Sequence, residues 1–370
     1  MSIKPITRFN SKSLALITFF MLGLSLSSCG EDSSIANKKL IEDPFVTRTV
    51  VELTDEKKSL YQQYKLTEQG YQAVLKKLKE TQKEVEKQGG KFTYALTSYD
   101  ANNHIAIIND IVAEYDLSAV TGFPIKYFKD SKTLKVNWYD EKNSLPYYLK
   151  ASILDVLIPS ETYLESQNGK DYSQFLTKLA LDPKKINNWS DIAYEFDAKT
   201  GQLAIAINDD LNKIFTLRLV IKLDGFSKQI FTMLGSDAAA KNPGMLLGML
   251  SGLRLEQVYI KMELERSIDE LIAALPEENA IEARKNYAKN KNLSDEEIKK
   301  QTGGAFTLEQ VKQYRVAWFN FLEQKKTVHI SIHPKIPQAF TALFSGFMMA
   351  QQSPRMAAGI IKQLNITVLN

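Results

Sequence analysis

The sequence predicts an α+β fold: an antiparallel β-sheet with helices packed on one face, preceded by an N-terminal signal peptide and a long amphipathic helix. Three observations lead there. A hydrophobic period of two recurs from about residue 92 to 223, in runs separated by short polar turns. Those turns are too short for crossover connections, so consecutive runs pair antiparallel. Helical periodicity gathers elsewhere, in one stretch before residue 90 and in the C-terminal third, where hydroxyl-x-x-Glu/Gln starts recur.

The chain opens with a basic stretch (Lys4, Arg8, Lys12), an apolar run from Leu14 to Leu26, and the small pair Ser27-Ser28 before Cys29. That order of charge, apolar core and small residues is a secretory signal. The apolar run is shorter than the roughly 20 residues needed to cross a bilayer. Residues 29–53 begin polar (Gly30, Glu31, Asp32, Ser33, Ser34) and read as a tether.

Thr54-Asp55-Glu56 supplies an N-cap and first-turn acids for a helix over 54–90. Its stripe runs through Leu60, Tyr64, Thr67, Tyr71, Val74, Leu78, Thr81 and Val85, and Gly89-Gly90 ends it. The stripe packs either on the body or on a partner.

A first strand-rich module, 91–183, carries strands at Phe92–Ser98, Ile105–Leu117, Thr133–Tyr139 and Tyr147–Ile158. A helix around Tyr172–Leu181 follows, with Asp171 as its cap and Pro183 beyond its end. A second module, 184–370, is continuous with it as one body. It opens on a meander of Ile192–Asp197, Gln202–Asn208 and Phe215–Leu223, with Asp209-Asp210 assigned to a turn. Helical stretches at Phe226–Leu234 and Met245–Leu250 precede a strand with Val258, Ile260, Met262 and Leu264 on one face. Capping boxes at Ser267/Glu270, Ser294/Glu297 and Thr307/Gln310 start helices, the last burying Val311, Tyr314, Trp318, Phe321 and Leu322. A strand Thr327–His333, helices near Pro337 and Pro354, and a strand Leu364–Leu369 complete the chain.

Composition narrows function. The 370 residues carry a net charge of +4 without a concentrated basic block, which argues against nucleic acid as a partner. Cys29 is the single cysteine, so no internal disulfide can form and packing must hold the fold. Of three histidines, His329 and His333 sit four apart on a strand, roughly 13 Å at ~3.3 Å per residue. One zinc ion with ligands about 2 Å away cannot take both, so they read as surface strand histidines. Leu234-Gly235-Ser236-Asp237 lacks the spacing of a nucleophile elbow, and no phosphate-cradling glycine loop follows a strand. The expectation is a protein without catalytic activity, cofactor or metal. The Met- and Gly-rich stretches around Met245, Met249, Phe347 and Met348 either pack in the core or line a groove for an apolar ligand.

Leu26-Ser27-Ser28-Cys29 resembles the lipobox of bacterial lipoproteins. The resemblance implies cleavage before Cys29, acylation of its thiol, and a body moored to the cell envelope facing the periplasm. Gly30 after the cysteine, in place of the Asp that retains enterobacterial lipoproteins at the inner membrane, implies the outer membrane. Trp189–Ile192 with Tyr194–Asp197, Val258–Asp269, Lys326–Pro337 and Leu364–Leu369 resemble a group of uncharacterised exported bacterial proteins. The layout is more distantly similar to YdgA-like and AsmA-like periplasmic proteins. The AsmA-like resemblance implies a curved sheet whose apolar inner face carries lipid. Three functions fit: a lipid-anchored scaffold or lipid-binding protein, an assembly lipoprotein binding a partner through the 54–88 helix, and an envelope hydrolase.

Overall fold

The computed structural model describes residues 65–87, 91–95, 97–116, 126–139, 148–159, 164–211, 214–230, 252–325, 327–339, 342–343 and 354–370. Its centre is one antiparallel sheet of 12 strands in the order β1-β3-β4-β5-β6-β7-β8-β9-β10-β12, with β2 on β3 and β11 on β9. The strands are β1 Lys91–Thr93, β2 Thr97–Asp100, β3 Ile105–Asp116, β4 Lys126–Tyr139, β5 Tyr148–Pro159, β6 Ile186–Asp197, β7 Gln202–Leu211, β8 Phe215–Asp224, β9 Arg254–Leu264, β10 Val328–Ile332, β11 Gln338–Ala339 and β12 Ile366–Leu369. From β3 to β10 each strand pairs with the next in sequence, an unbroken meander. The sheet is open, with β1 and β12 at its two ends. The ladder between β5 and β6 runs from Tyr148↔Glu195 to Leu157↔Ile186, so one sheet spans the 183/184 boundary.

The α+β class follows as the sequence indicates, with helices on one face among the described residues. Helix α1 (Glu68–Lys87) presses Tyr71, Val74 and Val85, with Leu66 before it, onto Phe92, Ala106, Ile108, Ile111, Val136 and Ala151. At the other end α6 (Leu308–Gln324) and α7 (Pro354–Leu364) cover β9, β10 and β12. There Trp318, Phe321, Val328, Ile330, Ile366 and Val368 are all 6% exposed or less, each contributing about 1.5–3 kcal/mol by burial. Helices α2 (Gln167–Lys178) and α3 (Ile268–Ala274) meet beyond the strand ends. There Arg266 donates to the Leu179 carbonyl (3.1 Å) and Lys178 to that of Leu275 (3.1 Å). Helices α4 (Glu277–Lys291) and α5 (Asp295–Gln301) follow α3.

The sheet's end at β12 is closed off by α6. His333 N–H donates to the Asn365 carbonyl, so odd-numbered β12 residues bond to β10, and Ile366 and Val368 direct their backbone groups outward. Tyr314 Oη donates to the outward Ile366 carbonyl (3.1 Å), and Val368 is 0% exposed. This disposes of an edge that would otherwise invite strand addition.

Several elements differ from the sequence reading, each for a local reason. The helix expected over 54–90 starts at Glu68 in the described part, because Thr67 caps it: its Oγ accepts from Gly70 N–H (2.9 Å). Its expected first residues and the Gly89-Gly90 stop lie outside the described residues. The run Phe92–Ser98 is two strands in one continuous register, β1 on Val112–Glu114 and β2 on Ile105–Ile108, with the left-handed Asp110 (φ 51°) lying in β3 between the two pairing sites. The helix expected from Tyr172 starts at Gln167, with Ser166 rather than Asp171 as its cap. Asp171 sits inside it and accepts from Gln167 Nε2 (3.0 Å). Residues 338–339 just past Pro337 form β11 on Leu255 and Arg254, and the helix expected there is described only at residues 342–343. Helix α4 is an addition: polar nearly all round, with Ala280 its one buried residue, it carries no apolar stripe to read. All three capping boxes form.

Candidate functional site

The alternation of each strand assigns every residue to one of two faces, and register then draws rows across the sheet. One row runs Ala106, Val136, Ala151, Ile192, Ile207, Leu219, Ile260, Ile330, Val368, from β3 to β12. Every member is apolar and lies on the helix-bearing face. Its two ends are sealed: Ala106 is 0% exposed beneath α1, Ile330 1% and Val368 0% beneath α6. In the centre Ile192, Ile207 and Leu219 are only half-buried. Among the described residues none of these three belongs to a buried cluster.

The next row towards the β7–β8 turn holds Ser190 on β6, Asp209 on β7 and Leu217 on β8. Ser190 Oγ donates to Asp209 Oδ1 directly across the ladder. Asp209 was expected in a turn, but β7 continues to Leu211, so Asp209 points to the apolar face and Asp210 to the other. Asp209 is the one charged side chain that β6, β7 and β8 place on this face. The row on the opposite side of the strip holds Tyr194, Ile205 and Ile221. Beyond it Phe196, Leu203, Phe226, Ile230 and Leu253 close into a small cluster at the strand ends. Gly201 and Gly225 make that closure possible. Both have positive φ (76° and 83°), and a Cβ on Gly225 would meet the Gly252 carbonyl oxygen at 2.4 Å.

The other face is polar and has its own Ser–Asp pair, Ser152 donating to Asp191. Its middle is buried through small residues, with Ala193, Ala206 and Val220 at 2–3% exposure beside Tyr259 at 4%. Tyr259 Oη and His329 Nδ1 share a hydrogen bond of 2.7 Å. Burial, then Lys261 and Arg218, lowers the His329 pKa below its ordinary value. Lys261 pairs with Glu263 at 2.6 Å, and this pairing, with Thr327 and Thr216 hydroxyls, holds the Glu263 carboxyl below the usual range. The expectation of two surface strand histidines is therefore corrected. His329 is tucked against Tyr259, and His333 lies past the end of β10, exposed.

A concavity of about 430 Å³, open to solvent, lies between α6 and the end of β12, lined in part by Val316 and Leu369. Asn370 occupies its rim, donating to the carbonyls of Ala317 (2.8 Å) and Thr327 (3.0 Å). Among the described residues no group of His, Cys, Asp and Glu is arranged to hold a metal ion, and no helix is long and apolar enough to cross a membrane.

The residues singled out in the sequence, Cys29 with Leu26, Ser27 and Ser28, and Met245, Met249, Phe347 and Met348, lie outside the described residues. What flanks two of these stretches is described. Phe226, Ile230 and Leu253 bracket the one containing Met245 and Met249, and Leu343 and Ala358 bracket the other; all five are buried in clusters on the apolar face. The central strip and Ser190–Asp209 escaped the sequence reading because face and cover are properties of the assembled sheet.

A family model described only as an uncharacterized protein matches residues 209–370. The match contains three of the four resembling stretches, Val258–Asp269, Lys326–Pro337 and Leu364–Leu369, while Trp189–Asp197 falls before it. No curated protein matches the chain.

Proposed function

We propose that this chain is a lipid-anchored bacterial envelope protein without catalytic activity, in which the open sheet holds an apolar ligand, a lipid, along the centre of its helix-bearing face. The observation that carries the ligand is the row from Ala106 to Val368. It is apolar across its whole width, covered at both ends, and only half-buried at Ile192, Ile207 and Leu219. Partly exposed aliphatic side chains in register on adjacent strands form a contiguous apolar surface, the kind that marks a binding site. The distant AsmA-like resemblance supports the same reading.

The anchor rests on the sequence alone. Acylated Cys29 would hold the body at the membrane, on the periplasmic side, with the outer membrane favoured by Gly30. A single acyl chain binds reversibly, whereas the diacylated cysteine of a lipoprotein gives stable mooring. Partner binding through the helix gains no support from its described part, since the apolar side of Glu68–Lys87 is spent on β1 and β3–β5. A hydrolase would need a nucleophile and base brought together, and no described cluster on the strip pairs Ser with His.

Two measurements test the proposal. Labelled palmitate is expected on the full-length chain and not on Cys29→Ala, which should leave the membrane fraction; an unlabelled parent would remove the anchor. Lipid extraction of purified Cys29→Ala is expected to yield a bound lipid that is not the anchor. A lipid-free protein would remove the ligand.

A further inference from the structure

The two ends of the sheet are finished differently, and the difference assigns a surface. The end that carries the β7–β8 turn has α2 and α3 beyond it, linked through Arg266 and Lys178. Among the described residues the other end finishes in turns. Residues 101–104, 198–201 and 333–337 lie past the ends of β2, β6 and β10, all on the same side of the row from Ala106 to Val368. The chain coming from Cys29 enters the described body at this same end. Tyr99 Oη donates to the Leu66 carbonyl (2.7 Å) and His104 Nδ1 lies 3.2 Å from it, which places Leu66 beside the 101–104 turn. Strand β4 has 14 residues and spans about 46 Å at ~3.3 Å per residue. A tether that joins at one end of such strands holds that end nearer the membrane.

Ile336 lies at this end and, at 70% exposure, is the most exposed large apolar side chain among the described residues. A lone exposed aliphatic is ordinary on a protein surface. This one sits between Pro334 and Pro337 in a loop braced at three points. Asn365 Nδ2 donates to the His333 carbonyl (3.1 Å), Gln338 Nε2 donates to the Ile336 carbonyl (2.7 Å), and Gln338 pairs with Leu255 of β9. Exposed cations stand close by: Arg254 pairs in register with Ala339, Lys362 lies in the last turn of α7 before Asn365, and Lys65 and Lys199 share the same end. Carboxylates at this end are turned onto their own loops. Asp100 accepts from the Asn102 N–H (3.0 Å), Asp197 from that of Lys199 (2.8 Å) and Asp224 from that of Gly225 (2.8 Å). Resting on the acyl anchor proposed above, we propose that this end of the sheet is a membrane-contact surface, with Ile336 entering the headgroup layer and Arg254 and Lys362 meeting the phosphates of anionic phospholipids.

The physics sums two modest terms. An aliphatic side chain gains by leaving water for the headgroup–acyl boundary, and each cation near an anionic surface strengthens binding about fivefold. Both act on a body already tethered, so a modest affinity is enough to orient it.

The Cys29→Ala chain has no cysteine, so Ile336→Cys in that background carries an environment-sensitive fluorophore at a single site. Ile281→Cys, at a 59% exposed position of α4, is the control. With vesicles of equal parts phosphatidylethanolamine and phosphatidylglycerol, the label at 336 is expected to shift to the blue and the label at 281 to stay unchanged. Adding Arg254→Gln with Lys362→Gln should weaken that binding about 25-fold, and phosphatidylcholine vesicles should weaken it similarly. All four substituted positions are exposed. No blue shift at 336, an equal shift at 281, or an affinity unmoved by the double substitution overturns the surface. Palmitate labelling of the full-length chain reads the anchor separately. Palmitate uptake without a shift at 336 keeps the anchor and removes this surface, whereas a shift without palmitate uptake removes the anchor alone.

Discussion

The β9–β12 end of the sheet and its β6–β8 centre are built from the same kind of residue, yet they differ in what lies on top. In the row from Ala106 to Val368, Ile330 and Ile207 are both isoleucines on the same face. Ile330 is 1% exposed under Trp318, Phe321 and their neighbours, while Ile207 stays half-buried. Strand alternation alone cannot distinguish them, since it only requires that one face be apolar. The difference teaches that an apolar face is a structural core where a helix covers it and a candidate binding surface where none of the described helices does.

Mutations can break or sharpen that contrast. The largest effect belongs to the covered end: Phe321→Ala, at 2% exposure, should cost about 3–5 kcal/mol in urea unfolding. Next comes the matched pair within one row. Ile330→Ala should cost about 2–5 kcal/mol, whereas Ile207→Ala should cost about 1 kcal/mol, because less area leaves water and no closed cavity forms. Equal costs at the two positions would mean that the centre is as well covered as the end.

Smaller effects probe what surrounds the covered end. Ser267→Ala removes the α3 cap and should cost about 1 kcal/mol by thermal melting. Within that box the Ser267 backbone N–H, then Lys325, pulls the Glu270 pKa down to about 2. The folded carboxylate therefore stays charged where the unfolded one protonates. Its contribution is present above pH 4.5, fades as pH falls from there towards about 2, and should be absent from Glu270→Gln. The smallest effect is at His329, whose pKa is depressed in the fold. On acidification below 6.5 the unfolded chain takes up the proton first, so stability is lost as pH falls through the folded value. His329→Gln, compared with the parent by melts between pH 7 and about 5, should flatten that slope.

Much of this architecture could be read before any coordinates. The antiparallel class, the three capping boxes and the buried face of α6 all rest on local patterns that tertiary packing left alone. Bounds slipped where two local signals competed. Ser166 outranked Asp171 as a cap because its hydroxyl reaches the Gly169 N–H (3.1 Å). Thr67, taken for a member of the α1 stripe, is the residue that starts the helix. Asp209 was lost for the most instructive reason. Two adjacent aspartates ordinarily signal a turn, and the ladder from β7 to β8 carries both inside a strand instead, one on each face. No periodicity could reveal that the apolar row crosses β3 to β12 with its ends sealed beneath α1 and α6, because that cover comes from helices far away in sequence.

The central claim is that the middle of the sheet, which none of the described helices covers, is a ligand surface and not merely thin core. Native mass spectrometry of the full-length Cys29→Ala chain beside the same chain carrying Leu219→Asp tests it most directly. The account predicts a lipid adduct on the first and none on the second, with both melting within a few degrees of each other. A parent without adduct, or an adduct undiminished by a carboxylate at position 219, would contradict it.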